Sequence, residues 1–443
     1  MVSRTAAVKC GKPAEVAFAM TMTEPAVGAE SSPPSRVLDR NRVGRPLRVL
    51  TLTTLYPSSA NSRHGIFVET RLRKLIAAAP VDLRVIAPVP WFPFSAPSFG
   101  RYSQFARTPR AERRHGIDVV HPRYVVVPKV GTRLQPHSLA RTMESAVEAL
   151  LEQGWDFDVI DAHYFYPDGV AAAQVARRFS RPLVITARGS DINLIARQPR
   201  PRHLIQDAAR RAAYVITVSA ALKRELINLG IPGDLVEVIR NGVDTELFRP
   251  RDQACAREAF GLGSQPLVAA VGNLVPEKGH DLVLRAVARL DTAQVVIVGS
   301  GPEKQRLKTL ARDLGLDDRA RFMENMTQDK LAGLYSAADV LALGSTREGW
   351  PNVLLEAMAC GTPVVASDVG GVREIVREEM VGKIVGRRSP EDFALALRSV
   401  LDQGSDRERV RSFASQFDWS SVARRYYFLL NKAVTSASDL PVG

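Results

Sequence analysis

The sequence predicts an α/β protein of two Rossmann-like, doubly wound domains facing each other across a cleft. Three observations predict it. A strand–helix alternation begins at Leu47 and runs to residue 239, and a second series begins at Leu267. Between them, Asn241-Gly242-Val243-Asp244 followed by Phe248-Arg249-Pro250 reads as a turn and a linker. The 443 residues exceed one ordinary domain, and 45% apolar with 24% charged residues is the composition of a chain that buries a core.

Residues 1–45, rich in Ala, Pro, Ser and Arg and without periodicity, are expected to form a disordered leader. The first domain is placed at 46–243. Its apolar runs predict strands at 47–55, 82–87, 119–127, 158–163, 183–187, 214–219 and 235–239. Helices are expected at 66–79, 134–153, 169–179 and 202–212. The second domain, 244–415, carries strands at 267–271, 294–298, 320–323, 340–343 and 364–367, with an edge at 383–385. The closing segment, 416–443, opens an amphipathic helix at Trp419, with Val422, Tyr426, Leu429 and Leu430 on one face.

The net charge of +13 is one-sided: residues 1–245 hold 34 Lys and Arg against 21 Asp and Glu, whereas 246–443 are balanced at 26 each. Such a field implies an anionic partner for the first half: a membrane surface, a lipid phosphate or nucleic acid. No window reaches the length of a membrane-spanning helix, and the apolar stretch 14–22 is short for a signal peptide. Cys10, Cys255 and Cys360 lie far apart and fit reduced thiols in a cytoplasmic protein. Between 91 and 114, Trp91, Phe92, Phe94, Phe99, Tyr102 and Phe105 interleave with Arg101, Arg107, Arg110, Arg113 and Arg114 in a Pro-rich loop. That loop suits a membrane interface or an anionic acceptor, and equally a loop folded onto its own domain.

The chemistry concentrates in residues 339–368. An apolar strand ends at Gly344, a polar loop carries Glu348 and Gly349-Trp350-Pro351-Asn352, and a helix opened by Pro351 carries Glu356. A helix N-terminus offers free N–H groups and a positive dipole to a phosphate or to sugar hydroxyls. Glu348 beside it can meet a developing positive charge, and Glu356 can accept two hydroxyls of a ribose. The first strand of the second domain ends in Gly272-Asn273 … Lys278-Gly279. There Gly272 admits a ligand's approach to the backbone and Lys278 supplies a full charge, a credible diphosphate site. Gly299-Ser300-Gly301 lacks the third glycine of a dinucleotide fingerprint, which is Lys304. A turn near the base or sugar of a nucleotide is the better reading of Gly301. In the first domain His163 ends a strand just before Pro167-Asp168-Gly169, and Arg188-Gly189-Ser190-Asp191 ends the next, bringing an arginine and a carboxylate to the cleft. Asp156-Phe157-Asp158 precedes its strand, unlike a metal-binding D-x-D pair, and no His or Cys cluster has metal-like spacing, so no metal is expected.

Glu348-Gly349-Trp350 … Glu356 is similar to the E-x7-E signature of the family-4 glycosyltransferases, retaining enzymes of the GT-B fold. Gly272 to Gly279 resembles their G-R-L-x-x-x-K-G segment, and Asn241 to Asp244 their N-G-V-D. The resemblance runs from about Leu47 to Lys432. It implies that Glu348 contacts the donor sugar near its anomeric centre, Glu356 the ribose hydroxyls, and Lys278 the diphosphate. It implies further that Gly65 offers its N–H to a phosphate, that His163 reaches the donor sugar, and that the last helix crosses back to the first domain. Two departures stand out: Asn273 replaces the usual arginine after Gly272, and Arg188 replaces a histidine, which would restore the missing charge. The expected reaction is transfer of a sugar from a UDP- or GDP-linked donor, with no further cofactor. The acceptor is a carbohydrate or lipid-linked intermediate of polysaccharide or glycolipid synthesis, reached at the inner face of the membrane. A nucleotide-sugar 2-epimerase of the same fold is the alternative enzyme. The basic charge could also indicate nucleic acid, but no base-reading helix or stacking motif supports that partner.

Overall fold

The computed structural model describes residues 44–126 and 134–438. All but the last two residues of the expected leader lie outside them. The first lobe is organised on strands β1 (Leu47–Leu52), β2 (Val81–Ile86), β3 (Val89–Pro90), β4 (Ala111–Arg114), β5 (Ile117–Val120), β6 (Arg123–Tyr124), β7 (Val159–His163), β8 (Leu183–Ala187), β9 (Tyr214–Thr217) and β10 (Val236–Val238). Eight of these form one sheet in the order β10-β9-β8-β7-β1-β2-β5-β4, parallel except for β4, while β3 and β6 pair separately. The second lobe holds β11 (Leu267–Val271), β12 (Gln294–Val298), β13 (Ala320–Met323), β14 (Val340–Leu343), β15 (Val364–Ser367) and β16 (Gly382–Val385). They form a parallel sheet in the order β13-β12-β11-β14-β15-β16. Every residue of β7, β8, β11, β14 and β15 is buried, because helices cover both faces of each sheet.

Both sheets reverse their strand order once, between β1 and β7 and between β11 and β14. In open α/β sheets the ligand crevice lies outside the carboxyl ends of the strands at such a reversal. The loops that carry Gly65, Lys278 and Glu348 leave from β1, β11 and β14, and His163 ends β7.

Two expectations need correction. The single strand expected at 119–127 is broken into β5 and β6, since Pro122 has no N–H to extend the ladder. The segment 91–114 is not simply a loop. It contains a helix, Arg101–Arg107, and β4, which returns on β5 through His115 and Gly116, both at positive φ (48° and 84°).

The chain crosses between lobes twice, and the two crossings touch. Val243 N–H donates to the Phe417 carbonyl at 2.8 Å, and a Cβ on Gly242 would stand 2.9 Å from Phe417 O. The last helix, Trp419–Ser438, then lies against the helix Ile66–Ala78 of the first lobe. Tyr426, Leu430 and Val434 join Val68, Leu72 and Leu75 in one buried cluster. Leu430 is fully buried. Leu430→Ala should therefore cost about 3 kcal/mol in urea unfolding, the usual scale for a leucine-sized cavity; a loss under about 0.5 kcal/mol, as at surface sites, would mean that the helix does not stabilise the first lobe.

Candidate active site

The two loops at the second lobe's strand-order reversal lock together. Thr346 N–H donates to Glu277 O at 2.8 Å, and Arg347 pairs with Glu277 at 2.8 Å. Gly279 is left-handed (φ 65°), and a Cβ there would sit 2.0 Å from Gly344 O, so only glycine lets the loops meet. This contact brings Lys278 to Glu348: Nζ lies 2.6 Å from Oε1, which also accepts from Ser345 Oγ at 2.7 Å. The helix Asn352–Ala359 starts immediately beyond, and no side chain caps it. Its first N–H groups remain available to an anion. Pro351 stands one residue before the first turn instead of opening it.

Glu356, in that helix, accepts from Tyr335 Oη at 3.0 Å. Burial pushes its carboxyl up to about 7, and the Tyr335 hydrogen bond opposes that shift. Trp350, expected to line the cleft, belongs to the core instead. Its ring is 6% exposed and meets Phe417 at 6.0 Å between centroids, under Arg240. An indole this large is drawn under the second crossing by the apolar area it buries there. Gly272 is half-buried and Asn273 exposed on the loop after β11. Gly301 is exposed too, but a Cβ on it would lie 2.3 Å from Leu274 O, so its smallness serves loop-to-loop packing.

In the first lobe, Gly65 is left-handed (φ 72°), and a Cβ there would meet Leu55 O at 2.1 Å. It precedes the helix Ile66–Ala78, which no side chain caps. Asp191 is completely buried, and its oxygens accept from the N–H groups of Phe165 (2.7 Å), Arg188 (3.1 Å), Gly189 (2.7 Å) and Ile192 (3.2 Å). It therefore shapes two loops and has no free lone pair to offer the cleft. His163 was expected to face the cleft, yet its ring is wholly buried. Nδ1 receives Arg188 Nη2 at 2.7 Å, and Nε2 stands 2.9 Å from Asp161 Oδ2. Accepting from an arginine requires Nδ1 to be bare, and burial drives the ring's pKa down to about 4, so His163 is neutral at physiological pH.

Arg188 continues outward. Its guanidinium covers the Phe67 ring at 5.0 Å and donates from Nη1 to Asn241 Oδ1 at 3.3 Å. Asn241 in turn donates to Asn352 Oδ1 at 3.1 Å, so hydrogen bonds link the first lobe to the first residue of the uncapped helix. Beside them the lobes touch backbone to backbone, since a Cβ on Gly349 would stand 2.3 Å from Arg188 O. Arg188, Asn241, Gly349 and Asn352 thus meet at the junction, with Glu348 next in sequence to Gly349 and paired to Lys278. Sequence reasoning missed Tyr335, Ser345, Arg71 and the amide of Asn241. Ser345 alone had a local cue, three residues from Glu348; the others come from distant elements. Among the described residues, no group of three or more His, Cys, Asp or Glu side chains could hold a metal.

Two sheets of this kind, joined by a double crossing, make the GT-B fold of glycosyltransferases. The architecture is shared with sucrose-phosphate synthase from Thermosynechococcus elongatus (21% identity, TM-score 0.73, covering 88% of this chain and 100% of that one). It is shared also with Anabaena HepE, crystallised with UDP-glucose (22% identity, TM-score 0.67, 87% and 99%). A family model of group 1 glycosyl transferases matches residues 252–417, and one of glycosyltransferase family 4 matches residues 105–247. The chain is 36% identical to the D-inositol 3-phosphate glycosyltransferase of Acidothermus cellulolyticus over 301 residues, 62% of this chain and 66% of the relative. It is 36% identical to that of Frankia alni over 304 residues, 62% of this chain and 74% of the relative. The chain belongs to the family-4 glycosyltransferases.

Replacing Tyr335 by Phe removes the hydrogen bond that lowers the Glu356 pKa while leaving the burial that raises it. The carboxyl should then titrate above its present value near 7 in a carbon-13 NMR titration. An unchanged or lower midpoint would show that Tyr335 does not hold that carboxylate.

Proposed function

We propose that the chain transfers a sugar from a nucleoside diphospho-sugar to an acceptor with retention of anomeric configuration. The observation that carries this reading is the Lys278–Glu348 pair, 2.6 Å apart, at the strand-order reversal beside an uncapped helix N-terminus. An incoming diphosphate competes for Lys278 and releases Glu348 toward the sugar's anomeric region. Glu356 accepts the ribose hydroxyls, and Gly65 lends its N–H to a phosphate. Developing charge on the leaving diphosphate is stabilised by Lys278, the helix start and Arg188, which is how preorganised donors lower such barriers. With its ring enclosed, His163 contributes by orienting Arg188. Departure and attack then share one face of the sugar, and no metal or further cofactor is assigned a role. HepE's complex with UDP-glucose supports the UDP-linked alternative of a UDP- or GDP-linked hexose donor.

For the acceptor, the name of the relatives points to a phosphorylated cyclitol, and the basic first half of the chain favours an anionic partner. A lipid-linked or carbohydrate intermediate of glycolipid or exopolysaccharide synthesis fits the same field. Peripheral contact with the inner face of an anionic membrane is supported by exposed Trp91, Phe94 and Tyr102, with Phe94 stacked on Phe99 at 5.1 Å. No helix among the described residues is long and apolar enough to cross a bilayer.

The direct test is transfer from UDP- and GDP-hexoses to inositol phosphate and to lipid-linked acceptors, with the product anomer read by NMR. An inverted product, or isomerised donor with no transfer, would refute the reading. Arg188→Ala should lose about a hundredfold in kcat/KM, the scale for removing one preorganised charge donor, and Asn273→Ala under tenfold; equal modest losses would reject Arg188 as the replacement cation. Ribose hydroxyls favour ionised Glu356, so nucleotide binding should release a proton near pH 7 and tighten between pH 6 and 8. Calorimetry in buffers of different ionisation enthalpy reads that proton, which should vanish in Glu356→Gln.

A further inference from the structure

A buried arginine and a half-buried one share one neutral acceptor at the lobe junction. Arg71, 1% exposed, donates from Nη2 to Asn241 Oδ1 at 3.1 Å and to the Ile239 carbonyl at 2.9 Å, and lies over the Tyr426 ring. Arg188 reaches the same Oδ1 at 3.3 Å. Every hydrogen bond recorded from these guanidiniums among the described residues goes to an uncharged acceptor: a carbonyl, the Asn241 amide or the bare nitrogen of His163. Arg71 Nε, Arg71 Nη1 and Arg188 Nε find no aligned acceptor at all. Asp161 attracts both guanidiniums and Asp191 attracts Arg188, but neither carboxylate hydrogen-bonds to them: Asp161 faces His163, and Asp191 accepts from backbone N–H groups.

This arrangement is costly. A buried cation ordinarily recovers its desolvation through an ion pair, and two cations on one oxygen also repel each other. An aspartate at 241 would have the same shape and would pair with both, and Asn352 could turn its amide over to donate to it. The sequence has Asn241 there instead, on the crossing between the lobes, 4% exposed and one hydrogen bond from the helix N-terminus at Asn352.

We propose that Asn241 is a positioning residue of the donor site: its neutral amide aims the Arg71–Arg188 pair at the junction without neutralising it, which leaves that charge for the donor's diphosphate. The inference rests on reading the junction as a nucleoside diphospho-sugar site, in which the diphosphate adds its charge to that of the nearby Asp161 and Asp191. It also explains how a loop with Asn273 in place of a cation can hold two phosphates, since the charge arrives from the other lobe.

The test is Asn241→Asp, isosteric but anionic. UDP, GDP, UMP and GMP are titrated into the full chain by calorimetry, with thermal unfolding in parallel. Asn241→Asp should unfold at the same temperature as the wild type or higher, and should bind the diphosphate about tenfold or more weakly, an effect expected of one added charge a few ångströms away. Monophosphate affinity should change much less. Arg71→Met, which removes one of the paired charges by a different route, should show the same selectivity. Equal affinity of Asn241→Asp and wild type for the diphosphate would overturn the proposal. So would parallel losses for mono- and diphosphate in both variants, which is the signature of a scaffold residue. Failure of the wild type to bind any nucleoside diphosphate would instead sink the reading of the site itself, and this inference with it.

Discussion

The site depends on the chain passing between its lobes twice at the same place. The hydrogen bond between Val243 and Phe417 ties the outgoing and returning crossings together, and Trp350, two residues after Glu348, packs against Phe417. Neither strand-order reversal alone makes a closed site, because each lobe offers only half of the charges and one uncapped helix. The double crossing sets those halves edge to edge. A second tie comes from Glu374 of the second lobe, which accepts from the N–H groups of Ala220 and Ala221 and pairs with Arg240 at 2.6 Å. A carboxylate at that helix start is favoured by the free N–H groups and the dipole.

The electrostatics at the junction follow from where each group can find a partner. In the second lobe, Lys278 and a largely covered Glu348 satisfy each other directly at 2.6 Å. Deeper in, the first lobe buries Asp161, His163 and Arg71 away from water, beside a half-buried Arg188. Burial then makes the histidine neutral and lowers the Arg188 pKa to about 9. The second lobe thus holds a direct ion pair, whereas the first holds cations that carboxylates attract without touching.

Much of this was legible from local pattern. The runs Val340–Leu343 and Val364–Ser367 read as buried strands and are strands, because a short apolar run bounded by glycine and polar residues has few other uses in an alternating α/β series. The family signature gave the spacing of Glu348 and Glu356, and Lys278 was legible from its place after a strand and a glycine. What stayed hidden was direction and distant partnership. A histidine at a strand end can turn into the lobe or out of it, and nothing local revealed that Asp161 and Arg188 would enclose His163. An indole in a polar loop looks like a ligand contact until the returning crossing supplies Phe417. The hairpin of β4 and β5 was concealed by an arginine-rich stretch whose turn is only His115-Gly116.

The facing glycines at 189 and 349 carry one more consequence. A Cβ on Gly189 would stand 3.0 Å from the Gly349 Cα, so the gap between the lobes there is lined by bare main chain on both sides. Its width is set by peptide geometry and not by a rotamer that could swing aside. Any alanine there would act as a spacer, prising apart the two charge systems without touching a single charged group.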